Sequence, residues 1–97
     1  MKSVLITFDQ AHYERIIATL DRLGCRGFTH LEQVRGRGSK TGEPHFGSHA
    51  WPAMASAIIT MVDDDRVESL LAVLKRIDET YDQLGLRAFV WNIEQSI

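Results

Sequence analysis

The chain has 97 residues, enough for one domain with a modest core. Its apolar fraction of 44% and charged fraction of 25% are those of an ordinary soluble globular protein, which excludes global disorder. A net charge of −2 excludes a nucleic-acid binder with a basic face, and no apolar run approaches the ~20 residues of a membrane helix.

Lys2 to Phe8 alternates, with Val4, Ile6 and Phe8 on one side and Ser3, Leu5 and Thr7 on the other, which is strand periodicity. Asp9 follows as a candidate N-cap, with Phe8 and Tyr13 spaced as a hydrophobic staple. The helix this opens runs to about Leu23 on a stripe of Ile16, Ile17 and Leu20, and Gly24 is placed to end it in a left-handed conformation. Cys25 is the single cysteine, so no intrachain disulfide is available, and a reducing, cytoplasmic setting is expected.

Phe28 to about Arg37 reads as a second strand whose imperfect alternation suggests a bulge. Gly36 to Pro52 is a loop, and Ala53 to Val62 is a third strand. Asp63, Asp64 and Asp65 open a second helix, with Asp65 and Glu68 at capping-box spacing and acidic charge at the positive end of the dipole. Val67, Leu70, Leu71, Leu74 and Ile77 form its stripe, with Tyr81 one turn further and Gly85 closing it. Leu86 to Ile93 is a fourth strand.

The order β-α-β-β-α-β is the ferredoxin-like arrangement: α+β, with an antiparallel four-stranded sheet carrying two helices on one face. The other face should then be polar at alternate positions. Instead the last strand carries Phe89, Trp91 and Ile93 on one side and Leu86, Ala88 and Val90 on the other. Leu5, Leu31 and either Ile58 or Ile59 extend this second apolar surface. Exposed on a monomer it would be a liability, so the pattern points to oligomerisation through that face with closed cyclic symmetry.

The loop holds four of the seven glycines, both prolines and two of the four histidines. GRGSKT within it fails as a phosphate-binding Walker motif, because Ser39 precedes Lys40 and Pro44 blocks a following helix. Gly36 and Gly38 still expose backbone N–H groups beside Arg35, Arg37 and Lys40, a nest that suits a small anion. His45, His49 and Glu43 have the donor chemistry for zinc, nickel, cobalt or copper, with His12, Cys25, His30 or another subunit supplying further ligands; the same histidines equally suit hydrogen bonds within an ordered loop. Trp51 before Pro52 reads as an anchor for the loop. Catalysis is not expected. Cys25 lies by a helix end that does not lower its pKa, and Ser39 and Ser48 have no carboxylate to orient a neighbouring histidine.

GFTHLEQVRGRGSKTG resembles the second strand and T-loop base of the PII signalling proteins: G-x-T, a hydrophobic strand, G-x-G, then a polar turn. The whole chain is similar in order and length to the PII core, closest to the short PII-like branch, with CutA-type proteins sharing the same trimeric core. The resemblance implies a regulatory homotrimer, not an enzyme, in which residues 1–97 form one PII-like domain and residues 36–52 a protruding T-loop. It implies a small ligand, an adenine nucleotide or other anion, at the subunit cleft and a partner protein, such as a transporter, at the loop. Carried over, Thr29 matches the G-x-T threonine, Gly36 and Gly38 the T-loop base, Lys40 a nucleotide-contacting glutamine, and Arg87 stands near a B-loop lysine; Arg35 and Arg37 flank the same base. The B-loop is reduced to Gln83, Leu84 and Gly85, and the T-loop is too short for the family's modified tyrosine. The alternative reading is a metal-binding or metal-sensing protein that uses His45, His49 and Glu43.

Overall fold

A computed structural model describes residues 1–35, 55–81 and 85–97. Four strands, β1 (Lys2–Asp9), β2 (Phe28–Val34), β3 (Ala55–Val62) and β4 (Arg87–Asn92), and two helices, α1 (Tyr13–Arg22) and α2 (Val67–Thr80), follow in the order β1-α1-β2-β3-α2-β4. The strands form one antiparallel sheet in the order β2-β3-β1-β4, which is the ferredoxin-like α+β fold. The expected bulge lies in β2. Leu31 pairs with Ala57 and Val34 with Ala55, so β2 spends one extra residue there, and the Ser56 hydroxyl donates to the Glu32 carbonyl at 2.6 Å.

Val4, Ile6 and Phe8 of β1 and Ile58 and Val62 of β3 pack against Ile16 and Leu20 of α1 and Leu70 and Leu74 of α2 in one buried cluster. Both helices therefore cover the same face. Thr60, fully buried on that face, is satisfied by donating to the Gly27 carbonyl at 2.7 Å. Of the adjacent pair Ile58 and Ile59, the first belongs to this core. Ile59 faces the open side, paired with Leu5 and with Thr29.

Both helices begin less directly than the sequence pattern predicts. Asp9 does cap, its carboxylate accepting from the Ala11 N–H at 2.9 Å, but the turn it caps is a 3-10 turn, Gln10–His12, that leads into α1. The capping box at Asp65 and Glu68 does not form. Asp63 occupies the N-cap position of a 3-10 turn, Asp64–Arg66, without a side-chain hydrogen bond, and Asp64 is drawn instead to the N-terminal ammonium at 2.7 Å.

At the far end of α1 the expectation holds. Gly24 has φ +76°, its N–H donates to Asp21, and the Cys25 N–H donates to Leu20 at 2.8 Å, which is a Schellman ending. Arg66 adds its guanidinium to the Leu23 carbonyl there. Gly85 also has a positive φ (62°), yet it does not close α2. That helix ends at Thr80, where Tyr81 becomes extended and its ring meets Arg15 and His12 of the first helical segment.

Candidate functional site

The helix-free face of the sheet is built by strand alternation. Reading across β4, β1 and β3, one row is Trp91, Ser3 and Met61, and the next is Phe89, Leu5 and Ile59, ending on Thr29 of β2. A third row is Arg87, Thr7 and Ala57, ending on Leu31. Phe89 (56%), Met61 (49%), Trp91 (47%) and Leu31 (46%) are the large apolar side chains left exposed here, so apolar surface reaches from β4 at one edge to β2 at the other, with Ser3, Thr7, Thr29 and Arg87 among it. Ser3 sits between Met61 and Trp91, buried to 2% with a hydroxyl that has no hydrogen-bond partner among the described residues.

Of the residues expected to bind ligand, Thr29, Arg35 and Arg87 are described. Thr29 is exposed on the open face of edge strand β2, and Arg35 is exposed just past the end of the same strand. Arg87 opens β4 at the opposite edge, three strand spacings or about 14 Å away. Its guanidinium curls round the edge, donating to the Leu86 carbonyl at 2.6 Å and lying 3.6 Å from the Asp78 carboxylate. One chain thus does not bring Thr29 and Arg87 together. Gly36, Arg37, Gly38, Lys40, Glu43, His45, His49 and Trp51 lie outside the described residues.

The metal reading finds no footing elsewhere. Among the described residues no group of three or more His, Cys, Asp and Glu side chains could hold a metal ion. His12 meets Arg15 at 2.8 Å, His30 stacks on Tyr13, and Cys25 lies buried under the end of α1, so the three candidate extra ligands are dispersed. Burial raises the Cys25 thiol pKa above its ordinary value, only partly opposed by the nearby Arg66 charge, which disfavours the thiolate. Nor is any helix of the described residues long and apolar enough to cross a membrane.

A further pocket leaves no signal in the sequence. At the end of the sheet where β2 leaves and β3 returns, a cavity of about 490 Å³ is lined by Tyr13, Glu14, His30, Glu32 and Ser56. The His30 ring stacks on Tyr13 with centroids 4.2 Å apart, and its Nε2 is buried without a partner among the described residues. Two carboxylates make this pocket a poor host for an anion, so it does not compete with the open face for that role. His30 reads in sequence as an ordinary polar position of a half-buried strand, and nothing local signals its stacking.

A search of curated proteins by sequence finds no match. Solved structures do match. CPII, a nitrogen regulatory PII-like protein from Thiomonas intermedia K12 bound to ADP, AMP and bicarbonate, is 26% identical with a TM-score of 0.77, covering 95% of this chain and 84% of that one. The same protein bound to ADP and bicarbonate is 27% identical with a TM-score of 0.76, over the same 95% and 84%. A protein from Thermus thermophilus described as PII-like signalling is 22% identical, with a TM-score of 0.67 over 95% of this chain and 85% of that one, and shares the fold. The family model for nitrogen regulatory protein P-II matches residues 1–97, from β1 through the open-faced sheet to the last residue, and the chain belongs to that family.

Proposed function

We propose that this protein is a homotrimeric PII-like regulator that binds an adenine nucleotide, together with a small anion such as bicarbonate, at a cleft between subunits. The observation that carries the reading is the apolar open face: Leu31, Met61, Phe89 and Trp91 exposed together on a sheet whose edges hold Thr29 and Arg87. Packing that face against other copies removes the exposed area. In the proposed assembly a β2 edge would lie beside a β4 edge of the next copy, the arrangement one chain lacks. The ligand class is supported by the ADP, AMP and bicarbonate bound by the Thiomonas intermedia protein. Thr29, Arg35, Gly36, Arg37, Gly38 and Lys40 of one subunit and Arg87 of the next would contact it, the arginines and lysine neutralising phosphate or bicarbonate. Residues 36–52 would act as a shortened T-loop whose arrangement follows the ligand and is read by a partner protein. The role is regulatory, with no catalytic step.

Light scattering should return three chain masses of 11.0 kDa each. Calorimetric titration with ATP, ADP and AMP, with and without bicarbonate, should show saturable heat for at least one nucleotide. Arg35→Ala and Arg87→Ala should each weaken it by about tenfold, roughly 1.4 kcal/mol. A monomer, or no heat from any nucleotide in either condition, overturns the reading.

A further inference from the structure

On the opposite layer from the open sheet face, α1 and α2 leave a groove of about 820 Å³ between them. Its middle is apolar, formed by Ala18 of α1 with Val73 and Ile77 of α2. Arg15 and Arg22 border it from α1 and Arg76 from α2, with Glu14 the one acid among the lining residues. None of the three arginines has a carboxylate within ion-pair distance among the described residues. In a chain of net charge −2 this is a local excess of unneutralised positive charge. Arg15 is also held in place, its guanidinium 4.0 Å from the centroid of the Tyr81 ring and 2.8 Å from His12 Nδ1. A fixed arginine loses less side-chain freedom when an anion arrives.

The spacing decides what kind of anion fits. Arg15 and Arg22 are seven residues apart on one helix, which places their backbones two turns or about 10 Å apart along the axis. Arg15 is turned towards His12, one turn nearer the start of α1, and towards Tyr81, so its guanidinium is directed away from Arg22. A small anion held by Arg15 there would sit at one end of the apolar strip. A chain segment with carboxylates separated by about two helical turns and an apolar side chain between them would engage both arginines and fill the strip.

We infer that the groove between α1 and α2 is a docking site for an acidic, amphipathic peptide segment of a partner protein. It goes beyond the nucleotide reading and does not depend on it. In a trimer packed through the sheet faces, the helix layer would be the outer surface, which leaves the groove open.

The test uses the full-length protein, 15N-labelled, and a synthetic amphipathic peptide carrying glutamates two helical turns apart with leucines between them. The peptide should shift amide resonances of α1 and of the second half of α2 saturably, with affinity falling as salt rises. Arg22→Glu/Arg76→Glu should weaken binding by about tenfold or more, and Arg22→Lys/Arg76→Lys should retain most of it. Both variants change exposed side chains, and an unchanged melting temperature verifies the fold. The same peptide with glutamines in place of glutamates should not bind. Absence of saturable shifts, equal binding to the charge-reversed variant, or shifts confined to the sheet face overturns the inference. Tighter binding of pyrophosphate or ADP in the same groove overturns the peptide as occupant. Concentration-dependent shifts there without peptide would make a second copy the occupant and overturn it too. Failure here leaves the light-scattering and nucleotide results untouched.

Discussion

Gly24 is the residue at which α1 is made to stop. Its φ of +76° lies where an L side chain costs about 1–2 kcal/mol. A methyl group placed there would also meet the Arg66 guanidinium at 2.7 Å, where that side chain reaches across to cap the Leu23 carbonyl. Gly24→Ala should therefore destabilise by about 2 kcal/mol, measured by urea unfolding, because left-handed strain and displacement of the cap add. Arg66→Ala alone should cost about 1 kcal/mol, and the double variant less than the sum of the two, since the collision disappears with the arginine. An alanine variant as stable as the parent would mean that the backbone there relaxes freely. Ser3 runs the other way: its buried hydroxyl has no partner to lose among the described residues, unlike Thr60, whose hydroxyl satisfies the Gly27 carbonyl.

Between elements, a few polar contacts decide where helices and strands begin. Asp78 of α2 accepts from the Leu86 N–H at 3.2 Å and faces the Arg87 guanidinium, so one carboxylate sets the entry of β4 from the preceding helix. Asp78→Ala should cost about 1 kcal/mol in thermal or urea unfolding, and backbone amide exchange at Leu86 should quicken more than exchange in β1. At the other helix start, the hydrogen bond from the N-terminal ammonium lowers the Asp64 pKa from its ordinary value of 3.8, against a smaller opposing effect of burial, with the ammonium charge and Lys2 adding to the lowering. A carboxyl whose folded pKa is depressed contributes stability above its unfolded pKa and loses it as pH falls toward the folded one. Stability should thus decline below about pH 3.8 less steeply in Asp64→Asn than in the parent, read from chemical denaturation at stepped pH. Equal slopes would show that the pair does not persist in solution. These contacts mark the limit of what sequence alone discloses. The element order is legible because the helix stripes and the Asp9 and Gly24 signals recur over long segments. Partners far apart in the chain, such as Arg66 with Leu23 or Tyr81 with Arg15, leave no local trace. Ile58 and Ile59 are both apolar, so periodicity cannot say which one faces the core. Thr29 and Arg87 look like members of one site in an aligned motif, yet the strand order β2-β3-β1-β4 sets them at opposite edges. The arginines between α1 and α2 escape notice because a charged solvent face of a helix looks the same whether or not it borders a groove.

The whole molecule has two unlike faces, and the trimer proposed above would be built on the apolar one. Phe89 and Trp91 project from β4 on the side without helices and remain about half exposed, 56% and 47%. Each has on the order of 100 Å² left to bury, which at ~25 cal/mol per Å² is about 2–3 kcal/mol per side chain and interface. In the proposed trimer, closed symmetry would repeat that contribution at every subunit contact, so a single substitution would act on all of them together. Trp91→Glu removes this area and places a charge where a neighbouring apolar face would desolvate it without a partner, which costs several kcal/mol more. The variant should run as a monomer by light scattering at concentrations where the parent is expected to be a trimer. Its helix content by circular dichroism should be unchanged, because Trp91 lies outside the cluster that Val4, Ile6, Leu20 and Leu74 form. Nucleotide heat should vanish with the trimer if Thr29 and Arg87 serve one ligand only across a subunit boundary. A Trp91→Glu monomer that still binds nucleotide at parental affinity would confine the ligand to one chain, and Arg87 would then have no part in it. A Trp91→Glu protein that stays trimeric would show that the assembly surface lies elsewhere, and the exposed row of Phe89, Leu5 and Ile59 would need a different cover.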